Sequence, residues 1–107
     1  MSATSPTDRV FAALSDPTRR DVLERIGAAG EASATQLARD LPISRQAIAK
    51  HLAVLSGAGL VESFNVGREI RYRALGARLS MLANELESIG REWDRRLAAI
   101  KRIAETN

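Results

Sequence analysis

Polar and basic side chains at the start of one predicted helix are the groups in this chain best suited to bind a polyanion. They belong to the segment SRQAIAKHLAVL, which begins with Ser44 as a candidate N-cap. At 100° per residue Gln46, Ala49 and Lys50 share one side of the helix, with Arg45 at its edge. Arg, Gln and Lys reach base edges or phosphates, and small residues let a duplex approach closely. The spacing therefore predicts a helix that enters the major groove of double-stranded DNA.

A predicted β-hairpin carries a second group of polar and basic side chains. Residues 60–66 and 68–75 form two short runs that favour β-structure, and Gly67 can supply the positive φ that a tight connection needs. The polar and basic positions at or near the tip are Asn65, Arg68, Arg71 and Arg73. We expect these side chains to lie next to a flanking phosphate or the minor groove. A basic hairpin is weak evidence by itself, but directly after a helix with a basic outer face it favours a DNA-binding wing.

Positive charge is concentrated in this middle part of the chain. The net charge of +3 alone does not identify a nucleic-acid partner. Residues 42–75, however, carry five basic and two acidic side chains, whereas residues 1–41 carry five basic and six acidic ones. On charge alone, a solvated basic face explains such a patch equally well. The prediction therefore depends on the helical motif and not on the charge.

Other candidate sites have simpler structural interpretations. His51 lies at the edge of the inward face of the same helix, and the partners of a catalytic or metal-binding histidine are missing, so we expect a packed or hydrogen-bonded role. A phosphate contact by its ring stays open. Residues 16–20 (DPTRR) could bind an anion, but a helix start whose arginines pair locally or touch the DNA backbone is the favoured interpretation. Tyr72 is expected to pack within its strand.

The composition excludes several classes of function. The chain has no cysteine, so disulfides, thiolate metal sites and thiol redox sensing are ruled out. No run approaches the ~20 apolar residues that span a bilayer, and the N-terminal residues lack the pattern of a secretory signal. No Ser–His–acid set, phosphate-cradling glycine loop or metal-ligand set is present, so an enzyme is rejected. We expect a cytoplasmic protein with one domain over residues 1–107.

A module that binds another protein instead of DNA is the remaining alternative. Such a module should present a neutral or apolar outer face on the helix after Ser44. Arg45, Gln46 and Lys50 on that face argue against it.

Helix starts and stops in the first half of the chain place two helices next to each other. Asp16, followed by proline, suits a helix start, and Gly30 suits its end. A capping box over residues 33–36 opens a short helix, which Pro42 interrupts. The basic helix follows within a few residues and runs to about Gly57. Two helices joined by so tight a turn must cross steeply, which is helix-turn-helix geometry.

A long apolar stripe predicts a helix at the end of the chain. Apolar residues recur at intervals of three or four within 78–105. A short helix over 8–15 cannot cover so long a stripe, so we expect a two-fold interface between copies, with these two helices as dimerisation helices and residues 1–7 disordered. The predicted interface residues are Val10, Phe11, Leu14, Leu82, Leu86, Ile89 and Trp93. Trp93 is the expected anchor, because a large aromatic side chain buries much area.

Three motifs in this order resemble the ArsR/SmtB family of bacterial winged-helix repressors. They are FAALSDPTRR over 11–20, SRQAIAKHLAVL over 44–55 and AGLV over 58–61, and the similarity extends over about residues 8–105. The resemblance implies a mainly α fold of about five helices with a β-hairpin wing. It also implies a cytoplasmic homodimer that binds an inverted-repeat operator, often represses its own operon, and contacts bases at Arg45, Gln46, Ala49 and Lys50.

The chain departs from the family at the positions that bind metal. Metal-sensing members carry Cys-x-Cys just before the first helix of the motif, where this chain has Ser33 and Thr35. Other members bind metal through Asp, His and Glu on their C-terminal helices, but the only histidine here is His51 in the recognition helix. We therefore expect no metal site and no cofactor. An inducer, either a small molecule or a protein, stays unassigned.

Overall fold

The computed structural model describes residues 5–105, which form five helices and a three-stranded antiparallel sheet. The elements are α1 (Pro6–Leu14), α2 (Pro17–Ala29), β1 (Ala32–Ser33), α3 (Ala34–Asp40), α4 (Arg45–Gly57), β2 (Val61–Val66), β3 (Glu69–Ala74) and α5 (Gly76–Glu105). The predicted fold class, mainly α with a β-hairpin wing and a long C-terminal helix, is confirmed. Within the described part of the chain, no helix is long and apolar enough to pass through a bilayer.

Side-chain caps fix where the first four helices begin. The carboxylate of Asp16 accepts a hydrogen bond from the N–H of Arg19 at 3.1 Å, and the hydroxyl of Ser44 accepts one from the N–H of Ala47 at 3.1 Å. The predicted capping box over 33–36 is complete, with hydrogen bonds of 3.2 and 2.8 Å. Each cap supplies an acceptor to N–H groups that lack a partner within the helix. The starts of α2, α3 and α4 were predictable because a cap is a local feature.

Helix α1 begins earlier than predicted. Ser5 is its N-cap and accepts a hydrogen bond from the N–H of Asp8 at 3.1 Å, and Pro6 occupies the first helical position. Residues 5–7 therefore belong to an ordered helix start, contrary to the expected disorder. Residues 1–4 lie outside the described residues. The last helix also begins earlier than expected, at Gly76 instead of 78.

Two consecutive arginines bind the end of α1 rather than an external anion. The Nε of Arg19 donates to the carbonyl of Ala13 at 2.6 Å, and the guanidinium of Arg20 donates to the carbonyl of Leu14. The last carbonyls of a helix have no partner within it, and a cation there is also favoured by the helix dipole. The local interpretation of residues 16–20 is therefore confirmed, and the two arginines join α2 to α1.

The hydrophobic core lies beneath α4 and draws on every helix. Its buried apolar residues are Val10, Ala13, Val22, Leu23, Ile26, Ala32, Leu37, Ile48, Leu52, Leu55, Ala58, Leu60, Val61 and Leu82. Two of them, Val10 and Leu82, were predicted to lie in an interface between copies. That assignment needs correction, because Val10 is 0% and Leu82 only 6% exposed within the single subunit. Both side chains join α1 and α5 to the core and leave almost no surface for a partner.

The wing has one strand more than the predicted hairpin. Strands β2 and β3 pair from Val61 with Ala74 to Val66 with Glu69, and Gly67 has a φ of 62° in the connection. The two residues of β1 add to the free edge of β3, in the order β1-β3-β2. The residue that caps α3 must be extended, so it can also pair with a strand. The extra strand fixes the wing to the start of α3.

Candidate nucleic-acid interface

Helix α4 presents a largely polar outer face because its isoleucine and its two leucines are buried in the core. Ile48, Leu52 and Leu55 are buried, as the helical periodicity predicts. The outer side chains are exposed: Ser44, Arg45, Gln46, Ala49, Lys50 and Ala53. A short turn after α3, in which the N–H of Ile43 donates to the carbonyl of Leu41 at 2.8 Å, sets α4 across α3. The pair forms a helix-turn-helix whose second helix can enter a major groove.

Three cations near this face are available to a polyanion. Arg45 and Lys50 on α4 and Arg68 at the tip of the wing are exposed. Among residues 5–105 the ion pairs involve Arg71, Arg73, Arg95, Arg96 and Lys101, and none of these three cations takes part in one. An unpaired surface cation binds a phosphate without first giving up a carboxylate partner.

The other two wing arginines are already bound to carboxylates. Arg71 donates from Nε to Glu69 and from Nη1 to Glu31, each at 2.6 Å. The hydrogen bond to Glu69, followed by that to Glu31, raises the pKa of the Arg71 guanidinium above its usual range. Arg73 donates to Glu62 at 2.6 Å and lies 4.7 Å from the centre of the Phe64 ring. These contacts stabilise the wing itself.

The strand register divides the predicted wing residues between two faces. Side chains alternate along a strand, so Arg71 and Arg73 share a face with Glu62 and Phe64. Asn65 pairs with Ile70 on the opposite face, which is turned toward α4. The structure therefore brings Arg68 beside the outer face of α4, with Asn65 on the same face of the wing as Ile70, and it does not bring Arg71 and Arg73 there.

A groove between α4 and the wing was not anticipated from the sequence. It has a volume of about 560 Å³ and is lined by Arg45 and Ala49 on one side and by Arg68 and Ile70 on the other. Tyr72 also lines it and is half-buried, in agreement with its predicted packing role. The alternation of apolar and charged residues in β3 identified the apolar face of the strand. It could not reveal that Ile70 lies too far along the wing to be covered by the core.

His51 occupies the predicted edge of the inward face of α4. It is half-buried, and its Nδ1 has no hydrogen-bond partner among the described residues. The pKa of the Asp16 carboxyl is lowered, chiefly by the hydrogen bond from the N–H of Arg19. No group of three or more His, Cys, Asp or Glu side chains within 5–105 is arranged to hold a metal ion.

Most of the predicted interface residues on α5 are exposed in the single subunit. Beyond Leu82 its apolar residues form one stripe with little cover, and Trp93 is 55% exposed. The stripe consists of Leu86, Ile89, Trp93, Leu97, Ile100 and Ile103. Phe11 on α1 is exposed as well, whereas Leu14 is half-buried. The hydroxyl of Thr7 donates to Glu85 at 3.0 Å and holds α1 against α5.

The helix-turn-helix with its wing defines the class of protein, and comparisons with known proteins agree. The model of a helix-turn-helix domain matches residues 14–63. The HTH-type transcriptional regulator Rv2034 of Mycobacterium tuberculosis is 37% identical over 106 residues, which cover 99% of this chain and 95% of that protein. The transcriptional repressor SdpR of Bacillus subtilis is 35% identical over 65 residues, which cover 61% of this chain and 71% of the repressor.

A solved structure extends the likeness to the whole fold. An ArsR-like transcriptional regulator from Rhodococcus sp. RHA1 superposes with a TM-score of 0.84 at 63% identity, over 92% of each chain. This chain belongs to the ArsR family of winged helix-turn-helix transcriptional regulators. It is therefore a DNA-binding regulator and not an enzyme, as its sequence predicts.

Proposed function

We propose that the chain is a homodimeric repressor of its own operon that binds an inverted-repeat operator, without sensing metal. The observation that carries this proposal is the outer face of α4, where exposed Arg45, Gln46 and Lys50 surround small residues. Gln46 can pair with a base edge in the major groove, and a nearby cation can hold a phosphate. The transcriptional repressor among its relatives supports repression rather than activation. Duplex DNA as the partner implies a place in the bacterial cytoplasm.

Dimerisation follows from the exposed stripe of α5. Two copies related by a two-fold axis through this stripe would cover Leu86, Ile89 and Trp93, and Phe11 would pack alongside. The two α4 helices would then meet successive major grooves of one duplex, about 34 Å apart. An inverted repeat is the DNA sequence that presents identical edges to both copies.

We assign the DNA contacts according to whether a side chain already forms an ion pair within the subunit. Ser44, Arg45, Gln46, Ala49 and Lys50 belong to the part that enters the groove, and Asn65 and Arg68 belong to the wing that flanks it. Arg71 and Arg73 would first have to exchange a carboxylate for a phosphate. Their contribution to binding is therefore expected to be smaller than that of Arg68.

A metal-independent regulator is consistent with the residues at the family's thiolate positions. Ser33 is buried, and its hydroxyl accepts a hydrogen bond in the capping box. The side chain of Thr35 ends in a hydroxyl, which does not bind metal as tightly as a thiolate does. The inducing signal would then be a small molecule or a protein.

Footprinting on the DNA directly upstream of the chain's own gene tests the proposal. The protein should protect two half-sites with centres about 10 base pairs, or a multiple of that, apart. A promoter reporter carrying this DNA should be less active when the protein is present. Protection of a single half-site would contradict the dimer, and a more active reporter would contradict repression.

A further inference from the structure

An open cavity with an aliphatic lining lies where α5 begins. It has a volume of about 400 Å³ and is formed by the end of α1, by α2, by the end of β3 and by the start of α5. Its aliphatic residues are Leu14, Leu23, Ala74 and Leu79. Leu23 is buried, and the other three are half-buried and pack against the core. The cavity therefore has the size and the apolar character that ligand pockets have.

Gly27 lines the same cavity and leaves room where a side chain could stand. It lies inside α2, where glycine is less favourable than alanine. It is not one of the described glycines with a positive φ, so the backbone does not require glycine at this position. A Cβ added here would meet no atom of the surrounding structure within 4 Å, so packing does not require glycine either. The effect of the glycine is to keep this part of the cavity open.

Two ionisable side chains, Arg20 and Glu24, stand at the rim of the cavity and are exposed. Among residues 5–105 neither takes part in an ion pair. The guanidinium of Arg20 is held by its hydrogen bond to the carbonyl of Leu14, and its other N–H donors stay available. Glu24 has no such anchor and can turn toward solvent. A carboxylate on a ligand would therefore find a fixed, unpaired cation at Arg20.

We propose that this cavity binds a small molecule with an apolar body and one carboxylate, the body among the leucines and the carboxylate on Arg20. Such a ligand would touch α2 and α5 at once. Helix α2 packs against α4, and α5 carries the stripe through which two copies would pair. A ligand that prefers the DNA-free arrangement of these helices weakens DNA binding, so the site suits an inducer. The role as an inducer rests on the proposed function, whereas binding itself is independent of DNA.

Isothermal titration calorimetry with octanoate and 1-octanol tests the site. Octanoate should bind once per subunit and about tenfold more tightly than 1-octanol, which lacks the charge. Gly27→Leu should abolish binding of both compounds, because the added side chain fills the cavity. Ala28→Leu is the matched control on the same helix, since residue 28 is exposed but does not line the cavity, and it should bind octanoate like the wild type.

The carboxylate contact has a test of its own. Arg20→Gln should bind octanoate and 1-octanol with equal affinity, because the cation that distinguishes them is gone. Thermal unfolding should show this variant and both leucine variants folded.

Fluorescence anisotropy with the DNA directly upstream of the gene tests the role as an inducer. Saturating octanoate should weaken binding of the wild type to this duplex by about fivefold or more. It should leave the affinity of Gly27→Leu for the duplex unchanged.

Several results would overturn the inference. Absence of octanoate binding by the wild type would remove the site, and unchanged binding by Gly27→Leu would place octanoate elsewhere, as on the stripe of α5. Equal affinities of the wild type for octanoate and 1-octanol would contradict the role of Arg20. Loss of the dimer in sedimentation of Gly27→Leu would show that a second copy covers the cavity.

Failure of the proposed function gives a different result. If the wild type bound octanoate but not the duplex, the proposed function would fail and the ligand site would stand. If it bound the duplex equally well with and without octanoate, the proposed function would stand and the role as an inducer would fail.

Discussion

Replacing Trp93 by alanine should dissociate the proposed dimer without unfolding the subunit. The indole is the largest side chain on the exposed stripe of α5, and 55% of the residue is accessible in the single subunit. Among residues 5–105, the only cation–π contact of its ring is with Arg96, whose guanidinium lies 5.2 Å from the ring centre. Its removal therefore leaves the core of the subunit intact.

The size of the effect follows from the exposed area. Slightly more than half of an aromatic side chain corresponds to about 80–140 Å², which at ~25 cal/mol/Å² is about 2–3.5 kcal/mol if a partner covers all of it. A two-fold axis places the residue in the interface twice, so the dimer loses about 4–7 kcal/mol. The dissociation constant should rise by about three to five orders of magnitude.

Sedimentation equilibrium over a series of protein concentrations measures this change. Trp93 is also the only tryptophan of the chain, so its emission should shift to longer wavelength as wild-type protein is diluted. Arg91→Ala is the matched control, because two residues along a helix turn a side chain to the opposite side. A dissociation constant that is the same for wild type, Trp93→Ala and Arg91→Ala would refute the assignment of α5 as the interface.

Two further predictions concern base reading and acid stability. Gln46→Ala should relax base preference at one operator position by about 1–3 kcal/mol, measured with a set of single-base operator variants, and an equal loss on every variant would count against direct readout. The Asp16 carboxyl has a lowered pKa in the folded protein. Its contribution to stability is therefore complete above the pKa that Asp16 has in the unfolded chain, and it is lost as pH falls through the pKa that Asp16 has in the folded protein. Asp16→Asn keeps an N-cap acceptor but cannot titrate, so its urea midpoint should fall less than that of the wild type on acidification. Identical acid dependence of the two proteins would contradict the role of Asp16.

Local features of the sequence predicted most of the fold. The starts of α2, α3 and α4 depend on N-caps such as Ser33 and Ser44. Each of these caps acts within a few residues, so it can be recognised without knowledge of the rest of the chain. The inward face of α4 was predictable for a similar reason, because helical periodicity separates Leu52 from Lys50 whatever covers the leucine. The helix-turn-helix and its outward residues therefore follow from the sequence.

Features that depend on distant pairing could not be predicted in this way. The third strand needs Ala32 to meet Tyr72, and the ion pair between Glu31 and Arg71 joins residues 40 positions apart. The sequence identified Arg71 as basic, but it could not show that Arg71 forms ion pairs with carboxylates of the same subunit. The burial of Val10 likewise depends on how α1 crosses the core, so its apolar character alone could not assign it to the core or to an interface.

A single cysteine placed on the outer face of α4 tests the central claim most directly. The chain has no cysteine of its own, so Ala49→Cys can be labelled selectively with a bulky neutral thiol reagent. Ala28→Cys, at an exposed position on α2, is the control. If α4 enters the major groove, labelling at position 49 should abolish binding to the upstream duplex while labelling at position 28 leaves it unchanged. Undiminished binding by the protein labelled at position 49 would contradict the account.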